Sequence, residues 1–191
     1  MEAAGRSSGV ALSRRVLDAC AAHFDLMLAW NRTHNLTRIT DPAAAARRHY
    51  LDCLVPLLAW DAPASFLDLG SGAGFPGILA ALAWPQAAAA LAEVAHKRQS
   101  FLRLACANLE VRALVEADGR AERVLSRATL PPGARRPLAD RAFRAVAVWG
   151  HPADLPVWEN EVAGWGKPWR ARLARYEIDG LEPRALLIAE R

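Results

Sequence analysis

The residues whose types and spacing are best suited to chemistry lie at positions 66–77, which read FLDLGSGAGFPG. Glycines occupy positions 70, 72, 74 and 77, directly behind a short apolar run. Glycine has no Cβ, so it lets a chain turn sharply and lets the backbone pass close beneath a ligand. The stretch therefore predicts a strand followed by a loop that holds a nucleotide-like cofactor.

Two classes of cofactor compete for this loop. Gly72, Gly74 and Gly77 have the G-x-G-x-x-G spacing of dinucleotide-binding proteins, a short pattern of low specificity. Asp68 precedes Gly70 by two residues and extends the pattern to D-x-G-x-G-x-G. A carboxylate at the end of the strand suits S-adenosylmethionine, whose amino-acid end and sulfonium are cationic, so we expect that cofactor. The alternative for Asp68 is a carboxylate that caps the next helix.

A second carboxylate, Glu93, ends the next predicted strand. At that position it is expected to accept hydrogen bonds from the two ribose hydroxyls of the cofactor. Nicotinamide enzymes also place an acid there, so Glu93 does not decide between the two cofactors. A surface carboxylate at a strand end is the alternative interpretation.

No convincing catalytic dyad or metal site is predicted. His49 and Asp52 lie three residues apart on one face of a predicted helix, where an acid–base pair or a structural pair can form, and we favour the structural pair. The three cysteines and five histidines are scattered and never fall at the spacing of metal ligands, so no metal is expected.

Composition and charge limit the class of protein. The 191 residues are 53% apolar and 23% charged, which is typical of a globular domain with a core. No apolar run reaches the roughly 20 residues that span a bilayer, and no secretory signal is recognisable, so we expect a cytoplasmic protein without membrane association. The net charge of +4, carried almost wholly by arginine, hints at a polyanionic partner.

Around these residues, the sequence predicts helices first and then an α/β pattern. Residues 13–30 show a helical stripe with Ser13 as cap, and Asp41-Pro42 opens a second helix that runs to about Trp60. We therefore expect a helical extension over residues 1–60 and one compact domain over residues 61–191.

The domain over residues 61–191 is predicted to alternate strands and helices. Strands are predicted at 66–69, 87–93, 111–115, 123–128 and 144–150, with two more within 171–190. Helices are predicted at 76–82 and 96–109, and a loop at 131–137. Strands that alternate with helices and close on an antiparallel hairpin indicate a doubly wound sheet.

Several stretches together resemble one known family. They are NRTHNLTRITD at 31–41, RRHYLDCL at 47–54, the glycine loop at 66–77 and HKRQSFL at 96–102, and GRAE at 119–122 looks like a fifth. In this order they are similar to the RsmG/GidB family of bacterial methyltransferases, which act on guanine N7 in the RNA of the small ribosomal subunit. The resemblance is good over residues 13 to about 110 and thins beyond.

The resemblance implies a Rossmann-like class I methyltransferase fold with S-adenosyl-L-methionine as cofactor. It implies methyl transfer to N7 of a guanine in 16S rRNA, with the small ribosomal subunit or an assembly intermediate as partner. By the same resemblance, the cofactor lies over the glycine loop, which here means Gly70, Gly72, Gly74 and Phe75.

The resemblance also implies that an Ala-Glu pair and an arginine complete the cofactor site. The pair corresponds to Ala121 and Glu122. For the arginine there are two candidates, Arg127 and Arg141, and we prefer Arg127 because an apolar strand precedes it. Fewer residues separate Glu122 from Arg127 than the resemblance predicts, so the region from Glu122 to Gly150 is expected to be shortened.

Other functions remain open on the sequence alone. A methyltransferase that acts on another substrate and a non-catalytic cofactor-binding protein associated with the ribosome are the main alternatives. A nicotinamide-dependent oxidoreductase is a more distant one. The lack of an evident base does not count against methylation of guanine N7, because that atom carries an exposed lone pair and no proton.

Overall fold

The computed structural model describes residues 11–116 and 118–191, and its centre is one seven-stranded sheet. The strands are β1 (Ser65–Leu69), β2 (Ala88–Ala92), β3 (Ala113–Glu116), β4 (Ala121–Ser126), β5 (Ala142–Gly150), β6 (Arg170–Tyr176) and β7 (Arg184–Glu190). Their order in the sheet is β3-β2-β1-β4-β5-β7-β6. The first five strands are parallel, and β7 pairs antiparallel with both β5 and β6. The predicted Rossmann-like α/β fold with a closing hairpin is confirmed.

Helices cover the sheet and place the cofactor-type loop at one edge of it. They are α1 (Arg14–His34), α2 (Pro42–Ala45), α3 (Asp52–Leu58), α4 (Gly77–Ala83), α5 (His96–Asn108), α6 (Arg136–Arg141) and α7 (Leu155–Ala163). A π-helical turn, Ala46–Leu51, joins α2 to α3 without a break. Parallel strands all end at the same edge of a sheet, and so the loops after β1, β2 and β4 meet there.

Both predicted N-caps of the N-terminal helices are present. The Ser13 hydroxyl accepts a hydrogen bond from the Val16 amide, and Asp41 Oδ1 accepts one from the Ala44 amide at 2.7 Å. Asn35 ends α1 in the left-handed conformation. The buried faces of these helices share one core with β1 and α4, in which Cys20, Met27, Tyr50 and Leu54 take part.

The C-terminal third differs from the prediction in two helices. Residues 131–137 were expected to be a loop, but α6 begins within them at Arg136, with Pro137 in its first turn, where proline fits. Helix α7 was not predicted, although Trp158 and Val162 on it are buried against the sheet. This region is rich in proline and glycine, which favour turns and loops in a prediction from sequence, so its short helices were not predicted.

The connection from β3 to β4 is unusually short. Parallel strands need a crossover of a dozen or more residues, usually with a helix, whereas here residues 117–120 alone separate Glu116 from Ala121. The described residues of this connection, 118–120, form no helix. The connection lies before Glu122, so the expected shortening between Glu122 and Gly150 stays a prediction. Among the described helices, none is long and apolar enough to cross a membrane.

Candidate functional site

A cavity of about 540 Å³ opens where β1, β2 and β4 end. Its walls include Gly70, Gly72, Phe75, Glu93 and Arg127, which come from three separate segments of the chain. The carboxyl ends of parallel strands are where open α/β sheets bind their ligands. The volume is within the range of small-molecule sites, roughly 300–1,000 Å³.

The glycine loop is held open by its backbone conformation. Gly70 and Gly72 have φ of 80° and 56°, a region that favours glycine. The amides of Gly70 and Ser71 both donate to the carbonyl of Ala92, at 2.8 and 3.0 Å, which ties the loop to the end of β2. A Cβ added at Gly72 would meet only the Gly70 carbonyl oxygen at 3.9 Å, so this position faces open space.

Asp68 lies behind the loop rather than in the cavity wall. Its Oδ2 accepts a hydrogen bond from the Gly77 amide at 2.9 Å and so caps the start of α4, while Oδ1 is buried without a partner in the part of the chain described. A Cβ at Gly77 would lie 2.5 Å from Asp68 Oδ2, and only glycine fits there. Burial raises the pKa of Asp68 to about 7.

Glu93 lies in the wall of the cavity at the end of β2. Its Oε2 accepts from the Gly72 amide at 3.0 Å and its Oε1 from the Ala95 amide at 2.9 Å, although only 5% of the residue is exposed. The side-chain amide of Gln99 fixes the backbone by donating to the Glu93 carbonyl. Glu93 thus presents a nearly buried carboxylate beside the bare backbone of the loop.

His49 and Phe75 also line the cavity. Their rings stack at a centroid distance of 4.7 Å, and His49 Nε2 lies 2.9 Å from the Thr37 hydroxyl. Burial is the main cause that lowers the pKa of His49 to about 4, and the positive charge of Arg127 acts in the same direction. A neutral imidazole therefore faces the cavity at neutral pH.

His49 and Asp52 do not form a dyad. Asp52 is 1% exposed, and its carboxylate is shared by two guanidinium groups, at 2.9 Å from Arg127 Nη2 and 2.8 Å from Arg184 Nε. The hydroxyl of Tyr176 donates to the same carboxylate at 2.9 Å. Asp52 therefore joins the N-terminal helices to the end of β4 and to the C-terminal hairpin. This contact gives Asp52 a structural role, as the sequence favoured, although its partners are Arg127, Arg184 and Tyr176 and not His49.

The structure brings some of the predicted site residues together and separates others. Gly70, Gly72, Phe75, Glu93 and Arg127 surround the cavity. Gly74 packs against Ile78, and a Cβ there would overlap that side chain.

Three other predicted residues lie away from the cavity. Ala121 and Glu122 begin β4 at the opposite edge of the sheet, where Glu122 accepts from the Ala64 amide at 2.7 Å. Both residues are already part of the strand, because β4 begins at Ala121. The rival arginine, Arg141, pairs with Asp118 near the same edge.

Sequence reasoning missed several residues of the site. Thr37 lies in NRTHNLTRITD, one of the stretches that resemble the family, but nothing in the sequence indicated its contact with His49. Tyr176 and Arg184 had no such signal, since they are 124 and 132 residues from the carboxylate of Asp52 that they contact.

The family model described as "rRNA small subunit methyltransferase G" (GidB) matches residues 17–148. The chain belongs to this family. The resemblance inferred from the motifs is confirmed. The protein from Roseiflexus sp. strain RS-1, named ribosomal RNA small subunit methyltransferase G, is 40% identical over 120 residues, which is 62% of this chain and 51% of that protein.

A namesake from Burkholderia pseudomallei strain 1106a is 39% identical over 147 residues, covering 73% of this chain and 61% of its own length. This GidB family member thus spans about half to three fifths of the curated relatives it matches. Among solved structures, a ribosomal protein L11 methylase from Lactobacillus delbrueckii subsp. bulgaricus is similar with a TM-score of 0.56 at 14% identity, over 72% of this chain and 78% of that one. At that identity the similarity supports the fold alone.

Proposed function

We propose that the protein binds S-adenosyl-L-methionine in the 540 Å³ cavity and transfers its methyl group to N7 of a guanine in 16S ribosomal RNA. The observation that carries the proposal is the convergence of the glycine loop, Glu93 and Arg127 on one cavity in a chain of the GidB family. The small ribosomal subunit or one of its assembly intermediates, in the cytoplasm, is the proposed partner.

The residues around the cavity fit this cofactor. Glu93 lines the cavity, and each of its carboxylate oxygens accepts from one amide and keeps a second lone pair that can accept from a ribose hydroxyl. Gly70 and Gly72 allow the backbone to approach a ligand closely. Asp68 acts from behind the loop by holding the Gly77 amide. Ala121 and Glu122 do not take part in binding the cofactor, because they lie at the other edge of the sheet. When bound, S-adenosylmethionine supplies a methyl group activated by a positively charged sulfur.

No side chain of the site is needed to remove a proton. Guanine N7 has an exposed lone pair on the major-groove edge and is not protonated at neutral pH. His49 is engaged with Thr37, and the Asp52 carboxylate is shared by Arg127 and Arg184. These residues position groups and exclude water, and orientation alone can supply about 7–11 kcal/mol of a barrier.

The experiment that tests the proposal places the protein in a bacterial strain that lacks its own 16S rRNA guanine-N7 methyltransferase. Borohydride reduction and aniline cleavage cut RNA at 7-methylguanosine, and primer extension then maps the cut. We expect one new cut in 16S rRNA with the natural protein and none with the Gly72→Val variant. No cut with the natural protein, when it is expressed and folded, would contradict the proposal.

The short β3–β4 crossover favours one alternative, a cofactor-binding protein that associates with the ribosome without methylating it. This alternative predicts S-adenosylmethionine binding in calorimetry, no methyl transfer to any RNA, and co-sedimentation with small subunits. The mapping experiment separates the two functions.

A further inference from the structure

A second cavity of about 370 Å³ lies next to the proposed cofactor cavity, and Arg127 belongs to the walls of both. The other charged residues that line it are Arg48, Asp52, Glu182 and Arg184. They come from the π-helical turn, from α3 and from the segment that leads into β7. The second cavity is therefore built by parts of the chain that the glycine loop does not involve.

The charges of this cavity do not cancel. Three guanidinium groups face two carboxylates, which leaves one positive charge. Arg127 and Arg184 share the single carboxylate of Asp52, and the side chains of these arginines are only 19% and 27% exposed. A charge is screened less when it is partly buried than when it is free in water, so the excess attracts an anion.

Donor groups also remain free for such an anion. Arg127 and Arg184 each use Nε and Nη2 in hydrogen bonds, and in the described residues the Nη1 group of neither has a partner. The side chain of Arg48 is exposed and has no ion pair within the described chain. Guanidinium groups bind phosphate oxygens with two parallel hydrogen bonds, which suits them to this ligand.

We propose that the second cavity binds a backbone phosphodiester of the RNA strand that carries the target guanine. This inference rests on the proposed function and deepens it. The single excess positive charge matches the single negative charge of one phosphodiester. A nucleotide held there lies beside the cavity of the methyl donor, because Arg127 is common to both walls. Phosphate contacts fix the register of a nucleic acid without reading its sequence.

The test measures binding of a short fluorescein-labelled single-stranded RNA by anisotropy over a range of salt concentrations, without cofactor. Arg48→Ala is the main variant because its exposed side chain puts the fold at little risk. Arg184→Gln is the second, with its folding checked by circular dichroism. Arg14→Ala is the matched control, since it removes the same charge from a surface ion pair with Asp18 and lies on neither cavity.

Both cavity variants are expected to bind RNA at least about threefold more weakly, and the slope of log K against log salt should fall in magnitude by about 0.7, the value for one phosphate contact on a single strand. Arg14→Ala should change neither quantity to that extent. Unchanged affinity in Arg48→Ala and folded Arg184→Gln, or weaker binding with an unchanged slope, would overturn the proposal.

Failure of the function can be told apart from failure of this subsite. If the natural protein methylates 16S rRNA while Arg48→Ala leaves the KM for RNA unchanged, the subsite is wrong and the function stands. If the two variants show the predicted slope changes but the natural protein transfers no methyl group, the second cavity binds an RNA phosphodiester and the methyltransferase function is wrong.

Discussion

Oδ2 of Asp52 lies 2.9 Å from Nη2 of Arg127, and this contact joins the N-terminal helices to the end of β4. Arg184 approaches the other oxygen of the same carboxylate at 2.8 Å. One buried carboxylate thus orients two arginines, one of which lines the proposed cofactor cavity. Asp52 of the RRHYLDCL stretch therefore positions Arg127 and Arg184.

Replacing Asp52 by asparagine removes the charge that both arginines share. We expect the free energy of unfolding to fall by about 2–3 kcal/mol, because two partly buried guanidinium groups lose their common counter-ion. Urea denaturation measures the loss. The matched control is Asp18→Asn on the surface of α1, where the exposed pair with Arg14 should account for less than about 0.5 kcal/mol. Equal losses in the two variants would contradict the role given to Asp52.

Substitutions of Gly72, within the loop, and of Gly77, at its end, are expected to have different effects. Gly77→Ala forces a Cβ against the side chains of Leu91 and Asp68, and we expect a loss of stability of about 2–3 kcal/mol. Gly72→Ala meets open space and should lose only about 1–2 kcal/mol through its positive φ. Calorimetry with S-adenosylhomocysteine should nevertheless show the larger loss of affinity for Gly72→Ala among folded protein. The reverse order would mean that the ligand does not lie over Gly72.

Exchange of Arg127 and of Arg141 for glutamine separates the two arginines that the sequence left as rivals. Arg127→Gln should weaken cofactor binding about tenfold or more, the range for a lost charge-assisted hydrogen bond at a partly buried site. Arg141→Gln removes only a pair with the exposed Asp118, so binding should stay within about twofold of the natural protein. A larger effect from Arg141 would show that the site has been assigned to the wrong strand end.

The pH dependence of stability tests the buried groups. Burial lowers the pKa of His23 and of His49 to about 4. Between pH 6 and pH 5 the unfolded chain therefore binds up to two more protons at these residues than the folded chain does, so the free energy of unfolding falls as the pH is lowered. Asp68 acts oppositely, because its raised pKa of about 7 means that the folded chain holds a proton which the unfolded chain has released. On acidification from pH 6 to pH 5, the free energy of unfolding of the natural protein should therefore fall by about 1.4 kcal/mol or less.

The variant Asp68→Asn removes the opposing group and keeps a carbonyl oxygen for the Gly77 amide. Its loss of stability on acidification from pH 6 to pH 5 should be steeper than that of the natural protein by about one proton, or 1.4 kcal/mol per pH unit. Urea denaturation at pH 5, 5.5 and 6 gives both slopes. Parallel slopes would show that Asp68 is already ionised over this range in the folded protein.

Much of the fold follows from local sequence signals. Ser13 and Asp41 cap their helices as predicted, and the apolar run before Gly70 forms β1, because caps and glycine turns depend on neighbouring residues alone. Gly70, Gly72 and Glu93 meet at one sheet edge because each follows or ends a parallel strand, and parallel strands end at the same edge.

The rest depends on contacts between distant parts of the chain. Arg184 reaches Asp52 across 132 residues of sequence, and no spacing rule connects them. The family resemblance implied that Ala121 and Glu122 belong to the cofactor site, but both residues lie at the start of β4, away from the cavity. A short motif alone therefore did not determine which end of the strand its residues occupy.

The most direct test of the proposed activity is transfer of labelled methyl from S-adenosylmethionine to small ribosomal subunits purified from cells that lack the modification. Digestion of the RNA and chromatography then identify the labelled nucleoside. We predict label in 7-methylguanosine from one site of 16S rRNA, and its loss in the Arg127→Gln variant. Absence of label with the natural protein, while calorimetry shows that it binds the cofactor, would contradict the proposed function and favour the non-catalytic alternative.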